Sequence, residues 1–147
     1  MAIVTTYSHQ FMMECLQKEH DVESDVLKIA LMNTTFAFDP DTHATWANCS
    51  ANEIANGYGY TTNGETLAGV TLSIDASGNK VDIAATSVTW TAAAGPIPTT
   101  GAAVIYNSTH ASSTVVMCID FGADYDTADG KLFQINLSSG LGEVTNA

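Results

Sequence analysis

The sequence predicts an all-β fold: an antiparallel β-sandwich or jelly-roll/barrel-like domain with one N-terminal helix. Three observations carry this expectation. Short segments rich in Val, Ile, Thr and aromatic residues recur along the chain with period-two alternation. Gly, Asn, Asp and Pro punctuate them at close intervals, as in sandwiches and barrels. Only one stretch, 8–20, carries a helical period. Domain organisation is expected to be simple, with an N-terminal arm and short helix over 1–25 and a single β domain over 26–147.

In the stretch 8–20, Phe11, Met12, Cys15 and Leu16 form one apolar stripe, and Ser8 is a suitable N-cap. Glu14 and Lys18 are expected to pair on the opposite face. The apolar run 26–32 reads as a buried strand. The polar stretch 36–56 reads as a long loop, with a helical turn at 51–56 capped by Gly57. Residues 58–62 are expected to be extended and to lead into an Asn63–Gly64 turn. Val70, Leu72 and Ile74 alternate, and with 80–84 they predict a hairpin turning at Gly78. Residues 88–91 alternate again. The loop 92–100 contains Gly95, Pro96 and Pro98 and is expected to interrupt any central strand. Strands at 102–106 and 114–121, an acidic turn at 124–130 and a last strand at 132–137 complete the series.

The composition excludes several functions. Sixteen acidic residues stand against four lysines and no arginine, a net charge of −12. Such a chain repels phosphate backbones and anionic lipid surfaces, so neither nucleic acid nor membrane is an expected partner. Residues 1–7 lack the basic residues and apolar run of a secretory signal. No stretch reaches the length of a membrane span. Charged residues make up only 14% of the chain, against about 25% in typical domains. A surface of Thr, Ser, Asn and Ala suits close contact with neighbouring subunits.

No catalytic, cofactor-binding or metal motif emerges, and the chain is not expected to be an enzyme. The three cysteines, Cys15, Cys49 and Cys118, have neither disulfide-framework nor zinc spacing, and read as reduced thiols. The histidines, His9, His20, His43 and His110, could join a metal site only if the fold assembled one. Asp124, Asp126 and Asp129 look like a calcium loop, but the spacing fails at the glycine and glutamate positions, leaving an acidic turn. Tyr58, Tyr60 and Trp46 could stack on a sugar, though packing explains them as well. The candidate docking interface is the stripe Phe11, Met12, Cys15 and Leu16.

Several phrases resemble small virion structural proteins of tailed bacteriophages. They are LKIAL at 27–31 followed by Asn33, GYGYTTNGETL at 57–67, VTWTA at 88–92, GAAVIYN at 101–107 and VMCIDFG at 116–122. The last three in series are most similar to head-decoration or head-and-tail accessory proteins. Where related proteins carry a basic residue after the "IYN" strand, this chain carries His110. The resemblance implies a capsid decoration (cement) protein that bridges major capsid protein subunits on the head surface. It would be a homo-oligomer, a trimer by preference, assembled in the host cytoplasm. The alternative it implies is a tail, neck or fibre protein that binds host glycans.

Overall fold

The structure is a computed structural model that describes residues 3–78, 80–138, 140 and 143–146. It is an all-β fold in antiparallel sheets, as the strand pattern predicts. The elements are β1 (Val4–Tyr7), α1 (His9–Leu16), β2 (Leu27–Met32), α2 (Trp46–Cys49), β3 (Glu65–Thr66), β4 (Thr71–Asp75), β5 (Lys80–Ala84), β6 (Val88–Thr91), β7 (Ile97–Asn107), β8 (Val115–Thr127), β9 (Leu132–Asn136) and β10 (Glu143–Asn146). A five-stranded sheet runs β1-β8-β7-β2-β3, a three-stranded sheet β10-β9-β6, and β4-β5 form a separate hairpin.

The continuous apolar run of β2 is explained by burial on both faces of the five-stranded sheet. Leu27, Ile29 and Leu31 join Ala103, Ile105 and Ile119 in one core with Trp90, Phe133 and Ile135 of the three-stranded sheet. Ala30 and Met32 face the other way, with Val104, Tyr106 and Cys118, under α2 and the loop residues Phe36 and Phe38. Strand β6 has one face toward the core, so Val88 and Trp90 are buried while Thr89 and Thr91 are exposed.

Residues 4–7 form one edge strand of the five-stranded sheet, paired with Met117 to Asp120 of β8. Several expected boundaries are corrected. The helix stops at Leu16 instead of reaching His20. Lys18 adopts φ 64°, and the Lys18 and Glu19 amides fold back onto the Cys15 and Glu14 carbonyls at 3.1 and 3.0 Å. This is a Schellman ending with lysine in the position glycine usually takes. The helical turn expected at 51–56 lies earlier, as α2 followed by a 3₁₀ turn over Ser50–Asn52.

Residues 58–62 are not a strand. Gly57 and Tyr60 bond to each other across a tight turn in which Gly57, Tyr58 and Gly59 all have positive φ. A Cβ on Gly59 would lie 2.0 Å from the Thr91 carbonyl oxygen, and one on Gly64 1.9 Å from that of Ile29. Glycine therefore lets both turns press against strand backbone. The 92–100 loop is shorter than expected, because β7 begins at Ile97. Pro98 falls at a register shift between Ile97 and Thr100, where its missing N–H costs no ladder bond. The acidic turn is also shorter: Asp124 and Asp126 belong to β8, which runs to Thr127.

Candidate functional site

The stripe chosen from the sequence divides in the structure. Ser8 caps α1, its side chain accepting from the Phe11 amide at 3.5 Å. Phe11 is buried in the domain's own core. Met12, Cys15 and Leu16 remain exposed, Leu16 at 87%. They form one wall of a groove of about 820 Å³ whose other wall is the β4–β5 hairpin.

That hairpin is amphipathic in both strands. Leu72 faces Ile83 and Ile74 faces Val81 across the ladder, while Thr71, Ser73, Asp75, Lys80, Asp82 and Ala84 form the opposite face. Ile83 is buried, but Ile74 is 83% exposed and Val81 57%. The alternation seen in the sequence is thus real, yet its apolar side continues past the core into the groove and solvent. A two-stranded hairpin is marginal by itself, and this one leaves its apolar face half covered.

Behind the groove wall lies a polar network that sequence reasoning missed. Glu14, placed on the helix's outer face by the sequence pattern, is buried. It does not pair with Lys18. Its carboxylate accepts from Gln10 Nε2, His20 Nε2 and the Thr114 hydroxyl, each at 2.7 Å. Burial raises the Glu14 pKa, but these three donors and the nearby His110 outweigh it, holding the carboxyl below its usual range. The Asn107 amide donates to His20 Nδ1 at 2.9 Å and to Asp25 at 2.6 Å. His110 Nδ1 lies 3.0 Å from the Thr114 hydroxyl, and its Nε2 3.2 Å from Glu19. The chain reversal at Lys18 brings His20 under the helix, 5.0 Å from the Phe11 ring. The network ties α1 to the loop between β7 and β8.

Glu14, His20 and His110 are also a metal-type trio, with ligand atoms within 4.8 Å of one another. A ligand must aim a lone pair at the ion. Asn107 Oδ1 accepts from the Thr109 and His110 amides at 3.0 and 3.2 Å, so its NH₂ faces His20 Nδ1. His20 therefore carries its proton on Nε2, the nitrogen that faces Glu14. The trio is arranged as a hydrogen-bond chain and not as a ligand set. Asp124, Asp126 and Asp129 are not gathered into such a group among the described residues; Asp126 accepts from Thr99 of the neighbouring strand β7.

The three aromatics considered for sugar stacking are separated. Tyr60 is buried, donating to Glu53 at 2.7 Å and accepting from the Leu31 amide at 3.1 Å. Trp46 is buried against Tyr106, ring centroids 4.6 Å apart and nearly parallel. Only Tyr58 is exposed. Of the thiols, Cys49 and Cys118 are buried and Cys15 is exposed. Burial, and then the Glu14 charge, raises the Cys15 pKa, which leaves less of the reactive thiolate at neutral pH.

No family model matches the chain, and neither curated proteins nor solved structures yield a match.

Proposed function

We propose that this chain is a non-enzymatic assembly subunit, best read as a capsid decoration protein of a tailed bacteriophage. In this reading it sits on the head surface, bridges major capsid protein subunits and forms a closed homo-oligomer, a trimer by preference. The observation that carries the docking part is the uncovered apolar face shared by α1 and the hairpin. Met12, Leu16, Leu72, Ile74 and Val81 are all exposed on or beside one groove. Large exposed apolar patches rimmed by polar residues mark interaction sites.

The charge supports a place on the outside of a shell. A net charge of −12 keeps the free subunit soluble and away from packaged DNA. The head-decoration part rests on the resemblance of the strand phrases. Locating the labelled chain in intact particles by electron microscopy tests it. Density on the head, with heads lacking the chain bursting at lower temperature, is the expected result. Density at the tail tip overturns the decoration reading.

A further inference from the structure

We infer that the groove between α1 and the hairpin takes a basic, amphipathic segment of a partner protein. The inference deepens the docking reading above and rests on it for the surface, but not on the partner being a capsid protein. Phe11, Met12, Leu16, Leu72, Val81 and Ile83 make the walls apolar. The end of the groove is acidic. Asp21 lines it, and Glu19 and Glu23 are exposed beside Asp21 on the turn leading to β2. Glu23 accepts from the Leu72 amide at 3.2 Å, which fixes this acidic turn against the base of the hairpin. The Asp21 carboxylate has no partner among the described residues. Lys80, on the hairpin's other face, is held by Asp82 at 2.8 Å, and Lys18, exposed on the turn itself, offsets only part of the charge of Glu19, Asp21 and Glu23.

An occupant complementary to this surface places aliphatic side chains between helix and hairpin and cations against Asp21 and its neighbours. A second copy of this chain fits poorly. It has four lysines and no arginine to set against sixteen acids. Two of the four, Lys28 and Lys80, lie within strands. A copy would bring its own charge of −12 to an acidic rim. Charge complementarity therefore selects a different protein, one with clustered Lys or Arg flanking aliphatic residues.

Binding of fluorescein-labelled peptides to the full chain, followed by anisotropy, tests this. The probes are a short Leu/Lys amphipathic peptide, a Leu/Glu peptide of the same pattern and a Ser/Lys peptide of the same charge. The Leu/Lys peptide is expected to bind, and the other two to bind at least about tenfold more weakly. Raising salt from about 0.1 M to about 1 M, which shortens the screening length from ~10 to ~3 Å, is expected to weaken it. Leu16→Asp and Val81→Asp each cost about tenfold or more in affinity, while Ser73→Asp, on the hairpin's other face, changes little. Thermal melts confirm that the variants, altered at exposed positions, remain folded.

Equal binding of the Ser/Lys peptide, or no binding of the Leu/Lys peptide, overturns the inference. So does indifference to Leu16→Asp and Val81→Asp. Sedimentation showing an oligomer that Leu16→Asp converts to monomer also overturns it, because a second copy then covers the groove. Particle decoration separates the two readings. A Leu16→Asp variant that still decorates heads sinks the groove assignment and leaves the decoration reading standing. Peptide binding by a chain that is found only at the tail does the reverse.

Discussion

Replacing Glu14 with Ala removes one acceptor from three donors at once. Gln10, His20 and Thr114 each donate to it at 2.7 Å. The His20 side chain is 0% exposed, and Thr114 is buried as well. Each buried donor left without an acceptor costs about 1–3 kcal/mol. With His20 and Thr114 both orphaned and the Gln10 bond lost, the expected loss for Glu14→Ala is about 2–6 kcal/mol. For a chain of this size that corresponds to a fall in Tm on the order of 10 °C. Glu14→Gln keeps the volume but turns an NH₂ toward donors, and should cost about 1–3 kcal/mol. The assay is urea unfolding of wild type and both variants at pH 7, with the slope checked for constancy.

The same residue sets a pH dependence. Its folded pKa is held below the unfolded value, so ionised Glu14 contributes stability above the ordinary carboxylate range. That contribution is lost as pH falls through the folded pKa. The wild type should therefore lose its advantage over Glu14→Gln as the solution is acidified. A Glu14→Ala loss under about 1 kcal/mol, or a wild-type advantage that grows on acidification, refutes the network's role.

Three other outcomes are expected. Tyr60→Phe removes the hydroxyl that bonds Glu53 and the Leu31 amide, and should destabilise by about 1–3 kcal/mol in the same urea assay. Gly64→Ala forces a Cβ to within 1.9 Å of the Ile29 carbonyl oxygen at φ +68°, and should cost about 3 kcal/mol or more; an unchanged Tm contradicts the close turn-to-strand approach. A thiol reagent should titrate Cys15 alone in the native protein and all three cysteines after unfolding, since Cys49 is buried with its pKa pushed up to about 12; rapid native labelling of Cys49 or Cys118 is the contrary result.

What was legible in the sequence depended on how local the cause was. The run 27–32 and the alternation at 88–91 reflect burial of the residue itself, so composition reveals them. The 80–84 hairpin strand and the Asn63–Gly64 turn are local as well. By contrast, β1 and β10 are short, and pairing with β8 and β9 makes them strands. The stretch 58–62 has strand-like Tyr and Thr content, but the positive φ angles at 57–59 fold it into a turn. The apolar stripe predicts a helix to His20 because it carries no sign of the reversal at Lys18. Glu14 looked like a surface residue because its partners, His20, Thr114 and His110, come from outside the helix. His110 lies 90 positions from His20, and only the return of the β7–β8 loop to the helix joins them.

Local chemistry in the sequence by itself determined the all-β class, the order of most strands and the Ser8 cap. Each follows from a property that a short window carries: periodicity, turn residues or capping chemistry. The tertiary structure alone decided which apolar residues stay uncovered. Phe11 and Leu16 look alike along the helix stripe, as do Ile83 and Val81 along the hairpin. One of each pair reaches the core and the other does not, because the domain's core ends between them. Burial depends on what lies opposite in space, and for Leu16 and Val81 the domain itself provides no covering layer.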